Sequence, residues 1–411
     1  MGEATTNYSL KYQARVLVAL PSDTISSKWL VGTTALREEN EVRMLQYDAD
    51  NEQLVCKLAY SHPAEVWDIA PCPTRDDVFV SVWAKAGNSS ATLWRVVDGE
   101  SSSAGQPAAA AGRSPELQLE QQAELAGQSR AMRCALWSSQ QTDTVVTLEE
   151  GFLKKWSITG AGAECTSSCP AGEMVQLWSG ALHPRNASLL CTAGSNDVQT
   201  WDLRNLGRPI GEIKMAHKMP VRSISFAPHN DTRVLTAGDD CKLRFWDLRN
   251  PGQALLELGG HRHWVWRAAY NPVNDSLIAS CSSDCCVNLY YTPNLAALPG
   301  VAAPAGAPEI TGGAAGGGTA VAGTMAAGAL PAAVPGAASV AAAGAGAAAA
   351  HKAPGRSGDL DGKVASWDEH EDSVYGMAWS AADPWLLASL SFDGRVTIDR
   401  VPKNIKYKIL I

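Results

Sequence analysis

The stretch Gly259 to Pro272, GGHRHWVWRAAYNP, places two histidines and two tryptophans within six residues, and the run CSSDCC at Cys281 to Cys286 follows it closely. Histidine and cysteine ligate metals, histidine moves protons, and tryptophan stacks on bases or anchors a protein partner. A zinc site would need a CxxC with a second ligand pair at metal-binding spacing. The CSSDCC run instead falls on a turn between two strand-like segments, and Cys165 and Cys169 supply no second pair, so neither metal nor cofactor is expected. The chain holds no G-x-S-x-G elbow, no phosphate-cradling P-loop and no H-E-x-x-H. No catalytic residue is nominated, and a non-enzymatic protein is expected. An enzyme would need a pocket of convergent polar groups with perturbed pKa values.

The elements that must position these residues are set by an internal repeat. AHKMPVRSISFAPHNDTRVLTAGDDCKLRFWDLRN from Ala216 and GHRHWVWRAAYNPVNDSLIASCSSDCCVNLYYTPN from Gly260 follow one plan. Each has a small residue, a histidine, an alternating strand, a turn with proline, a second apolar strand, an aspartate turn and a third strand ending in an aromatic. His217 to Trp246 and His261 to Tyr290 both span 29 residues. Weaker copies run from His62 to Trp94, Ser129 to Trp156, Glu173 to Trp201 and from Glu369 onward, and a degenerate first copy fits residues 8–60. A period near 40 residues built from short strands predicts an all-β fold, a seven-bladed WD40 β-propeller of four-stranded sheets over residues 8–411.

Within such a blade the recurring polar residues have a structural use. His217 is placed to bond Asp240 in the turn, with Thr236 and Trp246 completing a chain, and pairing of buried polar groups fixes turn and register. His261, Ser280, Asp284 and Tyr290 hold equivalent places. So do His370, Ser389 and Asp393, with Asp399 where the aromatic is expected. His261 is therefore read as structural rather than catalytic.

Two low-complexity segments leave the frame, residues 97–116 and 293–362, rich in Ala, Gly, Pro and Ser. They lack the large apolar side chains that offset ordering entropy, so flexible loops are expected. Both lie between the third and fourth strands of a blade. The face carrying the connections into each first strand is thereby left clear. Aligning the first strands places Trp67, Arg133, Trp178, Arg222, Trp266 and Tyr375 at one equivalent position there, with Trp264 two residues before Trp266 and Glu65 and Ser373 aligned to Trp264. Trp, Tyr and Arg are enriched at binding hot spots, so the set is read as partner-binding. Packing between blades and base stacking are the competing uses.

Across all 411 residues, 45% are hydrophobic and 18% charged, which suits a folded core. The net charge of −8 argues against a general nucleic-acid binder, which needs a basic surface. The N-terminus lacks the cationic and apolar regions of a secretory signal, and the Ala-rich tract at 337–350 is too short and Gly-interrupted to span a bilayer. A cytoplasmic protein with ten reduced cysteines is expected.

The segment EHEDSVYGMAWSAADPWLLASLSFDGRVTIDRVPKNIKYKILI adds to HRHWVWRAAYN, AGDDCKLRFWDLRN and LKYQARVLVAL preceding LVGTTALREENEVRMLQYD. Together they closely resemble the EARP- and GARP-interacting WD-repeat protein family, over nearly the whole chain outside the two low-complexity segments. The resemblance implies a non-catalytic adaptor whose partners are subunits of the EARP and GARP vesicle-tethering complexes. It implies a role in endosome-to-trans-Golgi retrieval and endosomal recycling, with endosome and trans-Golgi network association through those partners. From a different class, a substrate-recognition propeller of a ubiquitin ligase or chromatin complex is the alternative.

Overall fold

Short apolar strands separated by turn residues build seven four-stranded antiparallel sheets. A computed structural model describes residues 6–37, 39–98, 117–125, 131–160, 162–172, 176–298 and 360–410. Successive blades start with the inner strands Ala14–Ala19, Glu65–Pro71, Met132–Trp137, Leu177–Leu182, Val221–Phe226, Val265–Tyr270 and Val374–Trp379. Each inner strand packs on the next and the seventh on the first, so the sheets form a closed ring.

The second strands explain why the ring forms. Thr144–Glu149, Arg233–Gly238, Leu277–Ser282 and Leu386–Ser391 are buried at every position. A strand covered on both faces reads as a continuous small or apolar run. The apolar side chains accordingly divide into seven clusters, one at each junction between neighbouring blades. Burying each Val or Leu there contributes roughly 1.5–3 kcal/mol, and no blade can do so alone.

Closure comes from the N-terminus. Strand Thr6–Ser9 pairs antiparallel with Arg395–Arg400, from Thr6 opposite Ile398 to Ser9 opposite Arg395, and becomes the fourth strand of blade 7. Gly394 permits it. Its φ is +86°, a Cβ there would meet the Tyr12 carbonyl oxygen at 2.5 Å, and its own carbonyl accepts from the Leu10 N–H at 2.9 Å. Thr6 and Asn7, which precede the expected start at residue 8, are thus part of this sheet.

Both low-complexity segments join a third strand to a fourth, but their described margins are ordered further than expected. Val97 and Asp98 belong to strand Asn88–Asp98, Pro293–Ala297 forms a short helix with proline in its first turn, and Gly362 starts strand Gly362–Trp367. The expected flexibility of residues 99–116 and 299–359 lies outside the described residues. A second helix, Lys403–Leu410, seats Ile405 in the cluster between blades 6 and 7.

The polar chains recur with blade-specific wiring. In blade 5, Trp246 Nε1–H donates to Thr236 Oγ1 at 2.9 Å, Thr236 Oγ1 lies 2.8 Å from His217 Nε2, and His217 Nδ1 lies 2.8 Å from Asp240. Burial acts to raise the Asp240 carboxyl, but its bonds to His217 and Arg244 hold it far below the usual range. An ionised carboxylate only accepts, so the Nδ1 proton faces it. In blade 6, His261 reaches Asp284 at 3.0 Å and Ser280 at 2.7 Å, and Asn288 Nδ2 bridges His261 and Tyr290. Blade 7 departs from the expected wiring. His370 meets Ser389 and Ser391, each at 2.9 Å, and Asp393 bonds Ser391 rather than the histidine. Ser391 Oγ thus links His370 Nδ1 to the Asp393 carboxylate. Asp399 replaces the aromatic and is 3% exposed. Burial raises its carboxyl to about 8, with Glu369 adding to the shift.

Burial lowers His62 and His370 to about 4 from 6.5. A histidine depressed in the fold contributes stability above its unfolded pKa that is lost as pH falls towards the folded value. Each fall is worth on the order of 3 kcal/mol. Urea melts from pH 7 to pH 4 should therefore show a steep loss of stability, and His370→Gln should flatten part of it. Asp399 acts in the opposite sense, since its raised pKa withdraws stability as pH rises from about 4 towards about 8. Asp399→Asn should gain most over wild type at pH 8 and least at pH 5 in the same melts.

Candidate functional site

Every inner strand carries one extra residue where the register to its neighbour shifts. The seven shifts lie between Ala14 and Val16, Val66 and Asp68, Met132 and Cys134, Leu177 and Ser179, Val221 and Ser223, Val265 and Arg267, and Val374 and Gly376. A β-bulge of this kind leaves one residue unpaired and re-aims its side chain. The seven bulged residues are Arg15, Trp67, Arg133, Trp178, Arg222, Trp266 and Tyr375. All seven line a central cavity of about 920 Å³.

Their side chains stack around the ring. The Arg15 guanidinium lies 4.6 Å from the Tyr375 ring and 5.8 Å from Trp67. Trp178 sits between Arg133 at 4.9 Å and Arg222 at 4.2 Å, and Arg222 also faces Trp266 at 5.2 Å. Trp266 and Tyr375 close the contact series with ring centroids 4.6 Å apart. Each desolvated guanidinium–indole contact contributes roughly 0.5–2 kcal/mol. Trp264, 39% exposed, meets Trp266 edge-on at 6.0 Å and lies against His263.

The cations differ in how they are held. Arg222 forms a forked pair with buried Asp239 at 2.8 and 2.7 Å, and Arg133 contacts Glu150 at 3.3 Å. Arg267 lies 3.5 Å from Asp68. Burial raises the Asp68 carboxyl, and the Arg267 charge opposes that shift. Arg15 has no ion pair among the described residues. Among the described residues, four arginines and one carboxylic acid, Asp68, line the cavity.

The aspartate, histidine and hydroxyl chains do not open onto this cavity. Asp284, His261 and Ser280 align as a general-base relay would, yet Ser280 is fully buried, so no substrate reaches its hydroxyl. Burial likewise raises the Cys281 thiol to about 12, which suppresses thiolate formation. All ten cysteines are free. Among the described residues, no group of three or more His, Cys, Asp or Glu side chains is placed to hold a metal ion, and no helix is long and apolar enough to cross a membrane.

A family model described as the EIPR1 β-propeller matches residues 2–290, well over half of the chain. The chain belongs to the EIPR1 β-propeller family. A WD domain, G-beta repeat model also matches residues 357–398. The EARP and GARP complex-interacting protein 1 of Macaca fascicularis is 28% identical over 100% of this chain and 99% of its own length. Its Homo sapiens counterpart is 27% identical with the same coverage. The WD repeat-containing protein DWA2 of Arabidopsis thaliana is 28% identical over 97% of both chains.

In this EIPR1 β-propeller, the residue that the repeat alignment leaves out is Arg15. The segment Ala14-Arg15-Val16-Leu17 follows the same order of small or apolar, Arg, then strand as Val221-Arg222-Ser223-Ile224. The first repeat has neither the histidine nor the aspartate turn that anchors the frame, so this match is hidden in the sequence. Glu65 and Ser373, aligned with Trp264, do not extend the aromatic ledge. Glu65 instead accepts from Trp67 Nε1 at 3.3 Å.

Arg222 also carries a structural load, because its loss strands buried Asp239. Arg222→Ala should destabilise the fold by about 3 kcal/mol in urea melts, as breaking a buried ion pair does. Replacing Asp239 by Ala as well should recover most of that loss.

Proposed function

We propose that the protein is a non-catalytic WD-repeat adaptor that associates with EARP and GARP vesicle-tethering complexes through the bulge ring and the neighbouring Trp264. In this reading it serves endosome-to-trans-Golgi retrograde transport and endosomal recycling. It works from the cytoplasm and reaches the endosome and trans-Golgi network through its protein partners, without binding nucleic acid directly. The observation that carries the reading is the set of seven bulges, which turn arginines, tryptophans and a tyrosine onto one cavity mouth. These residue types are enriched at binding hot spots, and Trp and Tyr supply large contact area at small entropic cost. The relatives' name, EARP and GARP complex-interacting protein 1, supports the choice of partner.

The mouth also lies at the blade end opposite the points where the chain leaves the sheets after Asp98 and Tyr291. Connections from third to fourth strands are antiparallel counterparts of those entering the first strands, so the two sets occupy opposite ends. A large partner therefore has an approach free of both low-complexity attachments.

The test is a quantitative pull-down of the tagged full chain from cytosol, read by mass spectrometry. Wild type should recover EARP and GARP subunits, and a folded Trp264→Ala, Trp67→Ala variant should recover at least tenfold less. Equal recovery by both would move the binding surface elsewhere. Recovery of ligase or chromatin subunits in place of tethers would overturn the adaptor assignment.

A further inference from the structure

The cavity mouth has a chemical asymmetry that bears on what enters it. The protein as a whole carries a net charge of −8, whereas among the described residues four arginines line the cavity and three of them face an acid, Asp239, Glu150 or Asp68, which leaves Arg15 without one. An unpaired cation within low-dielectric walls attracts a small counter-charge, while the net negative charge of the protein repels an extended polyanion.

The arginines are unequally available. The Nε and Nη2 donors of Arg222 are used by Asp239, and Arg133 and Arg267 are partly engaged by Glu150 and Asp68. Arg15 is stacked on Tyr375 and near Trp67, which orients its plane without consuming its N–H donors. A pre-oriented guanidinium with no acid partner matches one carboxylate in a two-bond fork. On the same rim, Trp264 is the exposed tryptophan among the described residues, backed by Trp266.

We infer that the cavity mouth binds an acidic peptide segment, with one carboxylate clamped by Arg15 and a neighbouring large apolar side chain seated on Trp264 and Trp266. This rests on the proposed adaptor reading and deepens it by naming the chemistry of the recognised segment. The cavity volume of about 920 Å³ is in the range that encloses a ligand of a few side chains. A single free fork favours an isolated carboxylate over a polyphosphate or nucleic-acid backbone, which would need several convergent free cations.

The experiment is selection from a random twelve-residue peptide phage library on the immobilised full-length protein, followed by fluorescence anisotropy with the selected peptides made synthetically. The expected result is enrichment of Asp or Glu within three positions of Trp, Phe or Leu. Changing the acidic residue of the peptide to its amide should weaken binding at least tenfold, in keeping with a charge-assisted bond. Arg15→Gln should cause a similar loss, and Trp264→Ala a smaller loss from the same peptide, with thermal melts confirming that both variants are folded. The amide peptide tests the clamp on the wild-type protein, independently of how any variant folds. Failure to enrich peptides, enrichment of neutral or basic ones, or unchanged affinity for the amide peptide would each overturn the inference. Selected acidic peptides without recovery of tethers in the pull-down would retain this site and overturn the adaptor reading. Tether recovery undiminished by Arg15→Gln would do the reverse.

Discussion

A four-stranded sheet with two apolar faces has no stable existence in water unless both faces are covered. In this protein each face is covered by another copy of the same sheet, so the seven apolar clusters lie between blades rather than within any one of them. The ring must therefore close, and the pairing of Thr6–Ser9 with Arg395–Arg400 ties the first residues of the propeller to its last sheet. The same closure sets the inner strands around a common axis, and that creates the cavity.

Two devices repeat around the ring. The first is the buried chain from a third-strand indole to a second-strand hydroxyl, seen from Trp94 to Ser81, Trp156 to Thr147, Trp201 to Thr192 and Trp246 to Thr236. A one-residue slip would leave these groups buried and unpaired, so the chains hold strand register. The second is the inner-strand bulge, which interrupts register at one position in every blade. Its extra residue cannot join the core of its own sheet and is turned to the axis. Stability and recognition are thus separated within each blade. Residues at the histidine position are sealed in, and those at the bulge face the cavity.

The bulge positions alternate in chemistry more than in size. Guanidinium and aromatic faces satisfy one another around much of the ring, which keeps cations in a partly desolvated site without an acid beside each. Arg222 is both stacked and ion-paired, so it belongs to the scaffold as much as to the surface. Arg15 is stacked alone. The difference follows from the second strands opposite: blade 5 offers Asp239 at the end of its strand, and blade 1 offers Thr34 at the corresponding turn.

Much of the architecture is legible in the residue pattern, because strand period, turn chemistry and the 29-residue interval from histidine to aromatic are local properties. They determine blade count, the sheets that hold the low-complexity segments and the sealed fate of His217 and His261. The equivalence of Trp67, Arg133, Trp178, Arg222, Trp266 and Tyr375 is also readable from aligned strands. Ring closure is not, since pairing between Thr6–Ser9 and Arg395–Arg400 joins opposite ends of the chain. Nor is the wiring of His370 through Ser391, which depends on how blade 7 packs. The membership of Arg15 in the ring and its freedom from any described acid were likewise decided only by tertiary structure. A bulge is defined by the partner strand, and a charge is free or paired according to what the fold brings beside it.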